Sequence, residues 1–207
     1  MSCSSPCPSP ERLPRRQALR ALAHMVGLAS LGVAPQVLAN DTAAGRPREA
    51  PAAREPLVHQ GVTLWPRGEG RMRFFGLEVY TARLWTADGF DPTHHARHPL
   101  ALELQYARTF SAMQIAQRSL QEMKRQTSID PATEADWTSK LAAVLPDVKP
   151  GDRLLGWHRP TQGALFQSGP RVLGRIDDPV FSALFFGIWL SAATSEPALR
   201  TALLSPA

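Results

Sequence analysis

The order in which two hydrophobic periodicities follow one another constrains this chain most. Alternating, strand-like patterns come first, then two stretches with helical spacing, then a run of short strands, then one strongly apolar helix. Segregated strands and helices point to an α+β domain with an antiparallel sheet, because alternating βαβ units would interleave the two patterns. The clearest strand is Leu100–Tyr106, where Leu100, Leu102, Leu104 and Tyr106 fall on one face. Val62–Trp65 reads as a short strand closed by the turn chemistry of Pro66–Gly70. Arg71–Trp85 reads as one long strand with Phe75, Leu77 and Val79 on its half-buried face, Gly76 marking a bulge or the close approach of another element.

A helix is expected after Ser111, which can form a capping box with Gln114 while Phe110 staples onto Ile115. Its buried stripe would be Met113, Ala116, Leu120 and Met123. Asp130-Pro131 starts a second helix with Trp137, Leu141 and Val144 buried, and Pro146 stops it. Strands return at 152–159, 164–167 and 171–176. Asp178-Pro179 then opens a helix to Ser191 carrying Phe181, Leu184, Phe185, Ile188 and Trp189. So apolar a helix, of only about 14 residues, is too short to span a bilayer and belongs against the sheet.

Ahead of this domain, residues 1–39 have the order of an export signal. Pro14–Arg20 supplies positive charge, Ala21–Val33 is mildly apolar, and Val37-Leu38-Ala39 offers small residues for cleavage. The adjacent Arg15 and Arg16 resemble a twin-arginine signal, with the general secretory route as the alternative. Ala21–Val33 falls short of the roughly 20 residues needed to cross a bilayer, so no stable membrane span is expected in the mature chain. Residues 40–56 read as a flexible linker and residues 57–207 as the folded domain, with a periplasmic destination.

The charge of +5 is unevenly spread. Four arginines and one acid in residues 1–39 account for +3, leaving 19 basic and 17 acidic residues, or +2, for the rest. A balance so near neutral gives no electrostatic reason to expect nucleic-acid binding. Both cysteines, Cys3 and Cys7, lie in the leader, which removes disulfides, thiolate metal sites and cysteine nucleophiles from the mature part. The histidines at 94, 95 and 98 are bracketed by Pro92 and Pro99 and read as a solvated loop, not a metal site. No glycine-rich phosphate loop or nucleophile elbow is visible, and no cofactor is expected. His158, within a strand, reads as a structural residue.

Gly68-Glu69-Gly70, Phe74-Phe75, Val79-Tyr80 and Leu84-Trp85 resemble the strand signature of the chalcone isomerase-like family, as found in bacteria. The likeness continues through Pro150-Gly151-Asp152, the turn at Gly163, and the closing helix with Phe181 and Ile188-Trp189-Leu190. It implies an open-faced sandwich with a ligand cleft between an antiparallel sheet and helices on one side. In the plant enzymes of that family an arginine, a lysine and several hydroxyls promote addition of a phenolate to an enone. Carried over by position, the arginine falls near Thr63, the strand threonine at Phe75, the helix tyrosine at Phe110, the asparagine at Gln117 and the last-helix threonine at Ile188.

A cleft without its cation and hydroxyls cannot stabilise an oxyanion, so the resemblance implies a binder that has lost the isomerase chemistry. Other members hold a fatty-acid carboxylate with a basic residue and a tyrosine, for which Arg71, Arg73 and Tyr80 are the nearest candidates. Together with Phe75, Gln117 and Trp189 these make up the expected ligand site. The expected partner is a small apolar or amphipathic molecule. An intramolecular lyase on another substrate and an envelope protein-interaction module are the alternatives.

Overall fold

The computed structural model describes residues 55–205. The leader and all but the last two residues of the linker lie outside the described residues, and so does the end of the chain after Ser205. Seven strands form one antiparallel sheet in simple sequence order: β1 (Leu57–His59), β2 (Val62–Phe74), β3 (Leu77–Thr86), β4 (Leu100–Tyr106), β5 (Arg153–Arg159), β6 (Gly163–Ser168) and β7 (Arg171–Ile176). Helices α1 (Ala112–Met123) and α2 (Pro131–Val144) enter between β4 and β5, and α3 (Pro179–Leu190) and α4 (Pro197–Leu204) close the chain. A 3-10 turn, Pro92–Arg97, links β3 to β4. The sheet is a meander, so the α+β class follows from chain order alone.

One large core lies between the sheet and the helices. Leu84, Leu102, Leu120, Leu141, Phe181 and Phe186 are all buried in it. A smaller cluster of Leu64, Ala101, Trp157 and Leu165 occupies the opposite face. The sheet curls strongly enough that the rings of His59 in β1 and Trp157 in β5 stand 5.0 Å apart.

The helix starts behave as their sequences require. Ser111 and Gln114 complete a reciprocal capping box on α1. Asp130 accepts from the amides of Ala132 and Thr133 at the start of α2, with Pro131 in the first turn. On α1 the buried residues are Ala116, Ser119, Leu120 and Met123, whereas Met113 is exposed.

Two readings of the first strands need correction. Pro66–Gly70 does not end a strand: β2 runs through it, with a register shift between Pro66 and Gly68. The two glycines serve helix packing. A Cβ at position 68 would lie 2.5 Å from the carbonyl oxygens of Ala202 and Leu203, and one at position 70 would lie 2.6 Å from the Leu199 Cδ1. Helix α4 therefore rests directly on the β2 backbone. Gly68→Ala is expected to destabilise the domain by about 1–3 kcal/mol, because neither backbone can yield cheaply. A denaturant midpoint within error of the parent would contradict this packing.

The second correction concerns Gly76, which is a turn residue, neither a bulge nor a point of close approach, since a Cβ there would meet nothing within 4 Å. Phe74 pairs with Leu77, leaving Phe75 and Gly76 as a two-residue hairpin turn with φ of 47° and 78°. Two positive φ values in succession match the mirror-image turn that suits the strand twist. Phenylalanine is a poor occupant of such a position: holding a non-glycine residue left-handed costs roughly 1–2 kcal/mol. The turn also places Phe75 and Leu77 in solvent and not on a buried face.

The histidine segment is likewise not a free loop. It forms the 3-10 turn, with His95 and Ala96 half-buried. Among the described residues no group of three or more His, Cys, Asp or Glu could hold a metal ion, and no helix is long and apolar enough to cross a membrane.

Candidate functional site

A cavity of about 400 Å³ lies between the sheet and helices α1 and α3. Its floor comes from five strands, mostly at alternate positions: Met72 and Phe74 on β2, Tyr80 on β3, Leu102, Leu104 and Tyr106 on β4, Leu154 and Gly156 on β5, and Phe166 on β6. This is the period-two rule at work, since residues two apart share a sheet face. The roof is supplied by Ile115 and Ser119 of α1 and by Phe185, Ile188 and Trp189 of α3. The volume is that of a small-molecule pocket, with mostly apolar walls and few polar groups.

Ser119, Ser195 and Glu196 also border the cavity; the remaining polar groups fall into two sets. On the floor, Tyr80 and Tyr106 face each other across β3 and β4, with ring centroids 6.1 Å apart. The Trp189 Nε1–H donates to the Tyr80 hydroxyl at 3.0 Å, tying the last long helix to the sheet. Burial pushes the Tyr80 hydroxyl up to about 12, against the opposing pull of the Trp189 hydrogen bond and with help from the charges of Glu196 and Glu122. Burial raises Tyr106 as well, and the charge of a neighbouring Tyr80 would add to this. Both phenols therefore stay protonated and can donate hydrogen bonds.

At the rim, Gln114, Arg118 and Glu122 follow one another at four-residue spacing on α1, and all three border the cavity. The Arg118 guanidinium reaches the Glu122 carboxylate at 2.6 Å. Its side chain is 60% exposed, while that of Glu122 is only 11% exposed.

Of the six residues expected at the site, the structure brings Tyr80 and Trp189 together on the cavity wall. Arg71 and Arg73 flank Met72 on β2, and it is Met72 that lines the cavity. Both arginines are exposed, and Arg71 lies 3.9 Å from Glu78. Phe75 sits at the hairpin tip and Gln117 on the exposed side of α1, outside the lining. Thr63 is exposed near the start of β2, whereas Phe110 and Ile188 do line the cavity.

Sequence reasoning missed Gln114, Arg118, Glu122 and the second tyrosine, Tyr106. The signal for the first three was present in their spacing beside the apolar stripe of α1. Tyr106 is visible too, at the end of the cleanest alternating strand, but alternation alone does not mark that face as a cavity wall.

His158 and Ser182, the one buried serine–histidine pair among the described residues, belong to the core and not to this site. His158 Nδ1 is 2.6 Å from the Ser182 Oγ, and its Nε2 is 3.0 Å from the Ala96 carbonyl oxygen. A carbonyl can only accept, so the ring carries its proton on Nε2 and accepts at Nδ1 from the serine hydroxyl. Both residues are almost fully buried, so the serine has no access to substrate.

A family model described as chalcone isomerase-like matches residues 51–205, most of the chain. The chain belongs to the chalcone isomerase-like family. Among solved structures, a fatty-acid binding protein of Arabidopsis thaliana is similar with a TM-score of 0.54 and 8% identity, over 72% of this chain and 96% of that one. At such low identity the likeness shows the fold: a curled antiparallel sheet carrying helices on one face. No curated protein matches the sequence.

Proposed function

We propose that this chalcone isomerase-like protein is an exported, non-catalytic binder of an amphipathic small molecule with a long apolar body and one oxygen-bearing head group. The observation that carries the reading is the cavity itself: a half-open cleft of about 400 Å³ between sheet and helices, with almost wholly apolar walls. The Arabidopsis neighbour, a fatty-acid binding protein of the same fold, supports ligand holding as a use for this architecture.

Two placements are open to the head group, and both favour a carboxylic acid or a phenol. On the floor it would accept from the tyrosine hydroxyls, which burial keeps protonated. At the rim it would meet Arg118, whose fork of donors can serve a ligand oxygen while still touching Glu122. The absence of catalysis is supported by the lining. Phe110 and Ile188 fill positions where the family resemblance places hydroxyls, and among the described residues Arg118 is the only cationic side chain in that lining. Without a cation poised on the sheet floor, an oxyanion developing there has no strong stabiliser.

Export to the periplasm by the twin-arginine route completes the proposal. It is supported by the Pro14–Arg20 charge, the short apolar stretch and the small residues before Asn40.

The test is uptake of a fluorescent long-chain carboxylate by the purified chain and by Ile188→Trp, which places an indole inside the cavity. Saturable uptake by the parent and a loss of about tenfold or more in the variant are expected, since filling a pocket removes the apolar contact area that drives binding. Equal uptake by both proteins would place the ligand elsewhere.

A further inference from the structure

The tip of the β2–β3 hairpin is a second apolar feature that the cavity does not absorb. Phe74, Phe75 and Leu77 are 57%, 91% and 56% exposed, and the two phenyl rings pack edge to face with centroids 4.5 Å apart. Phe75 holds a left-handed backbone there, at φ 47°, where asparagine or glycine would relieve the strain. A strained aromatic left this exposed adds little burial to the fold, so its use lies outside the folded chain. Behind the tip stand Arg71 and Arg73 on the same hairpin, and Arg108, which borders a shallow depression together with Leu77 and Glu78. Arg73 and Arg108 make no ion pair among the described residues, and Glu78, opposite Arg73 in the hairpin and on the same depression as Arg108, is engaged by Arg71.

We propose that this hairpin docks the protein onto an anionic lipid bilayer, with Phe74, Phe75 and Leu77 entering the headgroup–acyl boundary and the arginines meeting lipid phosphates. Apolar side chains in front and cations one step behind match the layering of such an interface. A protein partner suits the tip less well. Two phenylalanines and a leucine, at about 150–250 Å² for a whole aromatic side chain, fall short of the roughly 800 Å² that a stable partner covers. Phe74 also lines the cavity, so docking would bring the cavity wall to the bilayer. That consequence rests on the ligand-binding reading; the docking does not.

The experiment is co-sedimentation of the purified chain with vesicles of phosphatidylcholine, alone and mixed with phosphatidylglycerol, with no ligand added. The discriminating variant is Phe75→Asn, which restores favourable Asn-Gly turn chemistry and so should fold at least as stably as the parent. Binding to the anionic vesicles is expected, weakening with salt. It should fall by about tenfold in Phe75→Asn, from loss of one inserted aromatic, and also in the Arg73→Glu, Arg108→Glu double variant. Every variant carries the same residues 1–54, so the differences report the hairpin alone. Vesicle binding unchanged in Phe75→Asn, or no binding to either vesicle, would overturn the proposal. So would self-association of the parent that Phe75→Asn abolishes, which would make a second copy the occupant. Neither result bears on uptake into the cavity, so the two readings fail separately.

Discussion

Replacing Asp178 by alanine is expected to destabilise the domain by about 2–4 kcal/mol, because one carboxylate serves two helices. One of its oxygens caps α3 by accepting from the amides of Val180 and Phe181, at 2.9 and 3.0 Å. The other accepts from the Trp137 Nε1–H at 3.0 Å, joining α2 to α3. Losing an N-cap costs about 1 kcal/mol, and leaving the indole N–H of a buried tryptophan without a partner costs about 1–3 kcal/mol more. The Asp178→Asn variant should recover part of the loss, because an amide oxygen can still cap. Chemical denaturation of the parent, Asp178→Ala and Asp178→Asn checks this. A midpoint for the alanine variant close to that of the parent would mean that α3 does not depend on its cap.

The second large effect is acid sensitivity set by His158. Burial drives this imidazole down to about 4 from its ordinary value near 6.5; the Ala96 carbonyl opposes the shift and nearby His95 adds to it. Between those two values the unfolded chain takes up a proton that the folded chain refuses. Stability therefore rises with pH across that window and is progressively lost as pH falls from about 6.5 towards 4. A depression of this size corresponds to about 3 kcal/mol at full extent. Burial lowers His95 as well, so it acts in the same direction. Asp91 and Asp130 are held low by hydrogen bonds and keep stabilising the fold until more acidic conditions. Denaturant titrations from pH 7 to pH 4 should show the fall in the parent and a much flatter profile in His158→Gln. An equal slope in both would assign the effect to other groups.

Much of the fold could be read because local signals and tertiary needs agree. The alternation of Leu100–Tyr106, the capping box at Ser111 and Gln114, and the Asp-Pro starts of α2 and α3 each encode their element within a few residues. The errors cluster where a residue answers to a distant partner. Gly68 and Gly70 read as a turn because glycine punctuates turns, yet they serve the close approach of α4 about 130 residues later. Helix α4 itself is only eight residues long, with Leu199 and Leu203 buried, too brief to announce itself by periodicity. At Phe75-Gly76 a phenylalanine stands where Asn, Asp or Gly would announce the turn, so the sequence reads as one continuous strand.

The site follows the same division. Tyr80 and Trp189 could be singled out from the sequence, but their hydrogen bond across 109 positions could not. The choice of Arg71 and Arg73 turned on strand phase. A shift of one residue moves a side chain to the other face, and the phase of β2 depends on its register shifts between Pro66 and Gly68 and between Met72 and Arg73. The rim on α1 was legible in principle, since Gln114, Arg118 and Glu122 lie four residues apart beside a buried stripe. Polar residues at that spacing usually mark a solvated helix face, and only the sheet beneath them turns this strip into a cavity rim.

Native mass spectrometry of the protein purified from its own compartment puts ligand binding to its plainest test. A reproducible added mass in the range of one amphipathic small molecule is expected, lost on denaturation and reduced in Ile188→Trp. A clean mass for the chain alone, with no adduct after addition of long-chain carboxylates or phenolics, would contradict a binding role for the cavity.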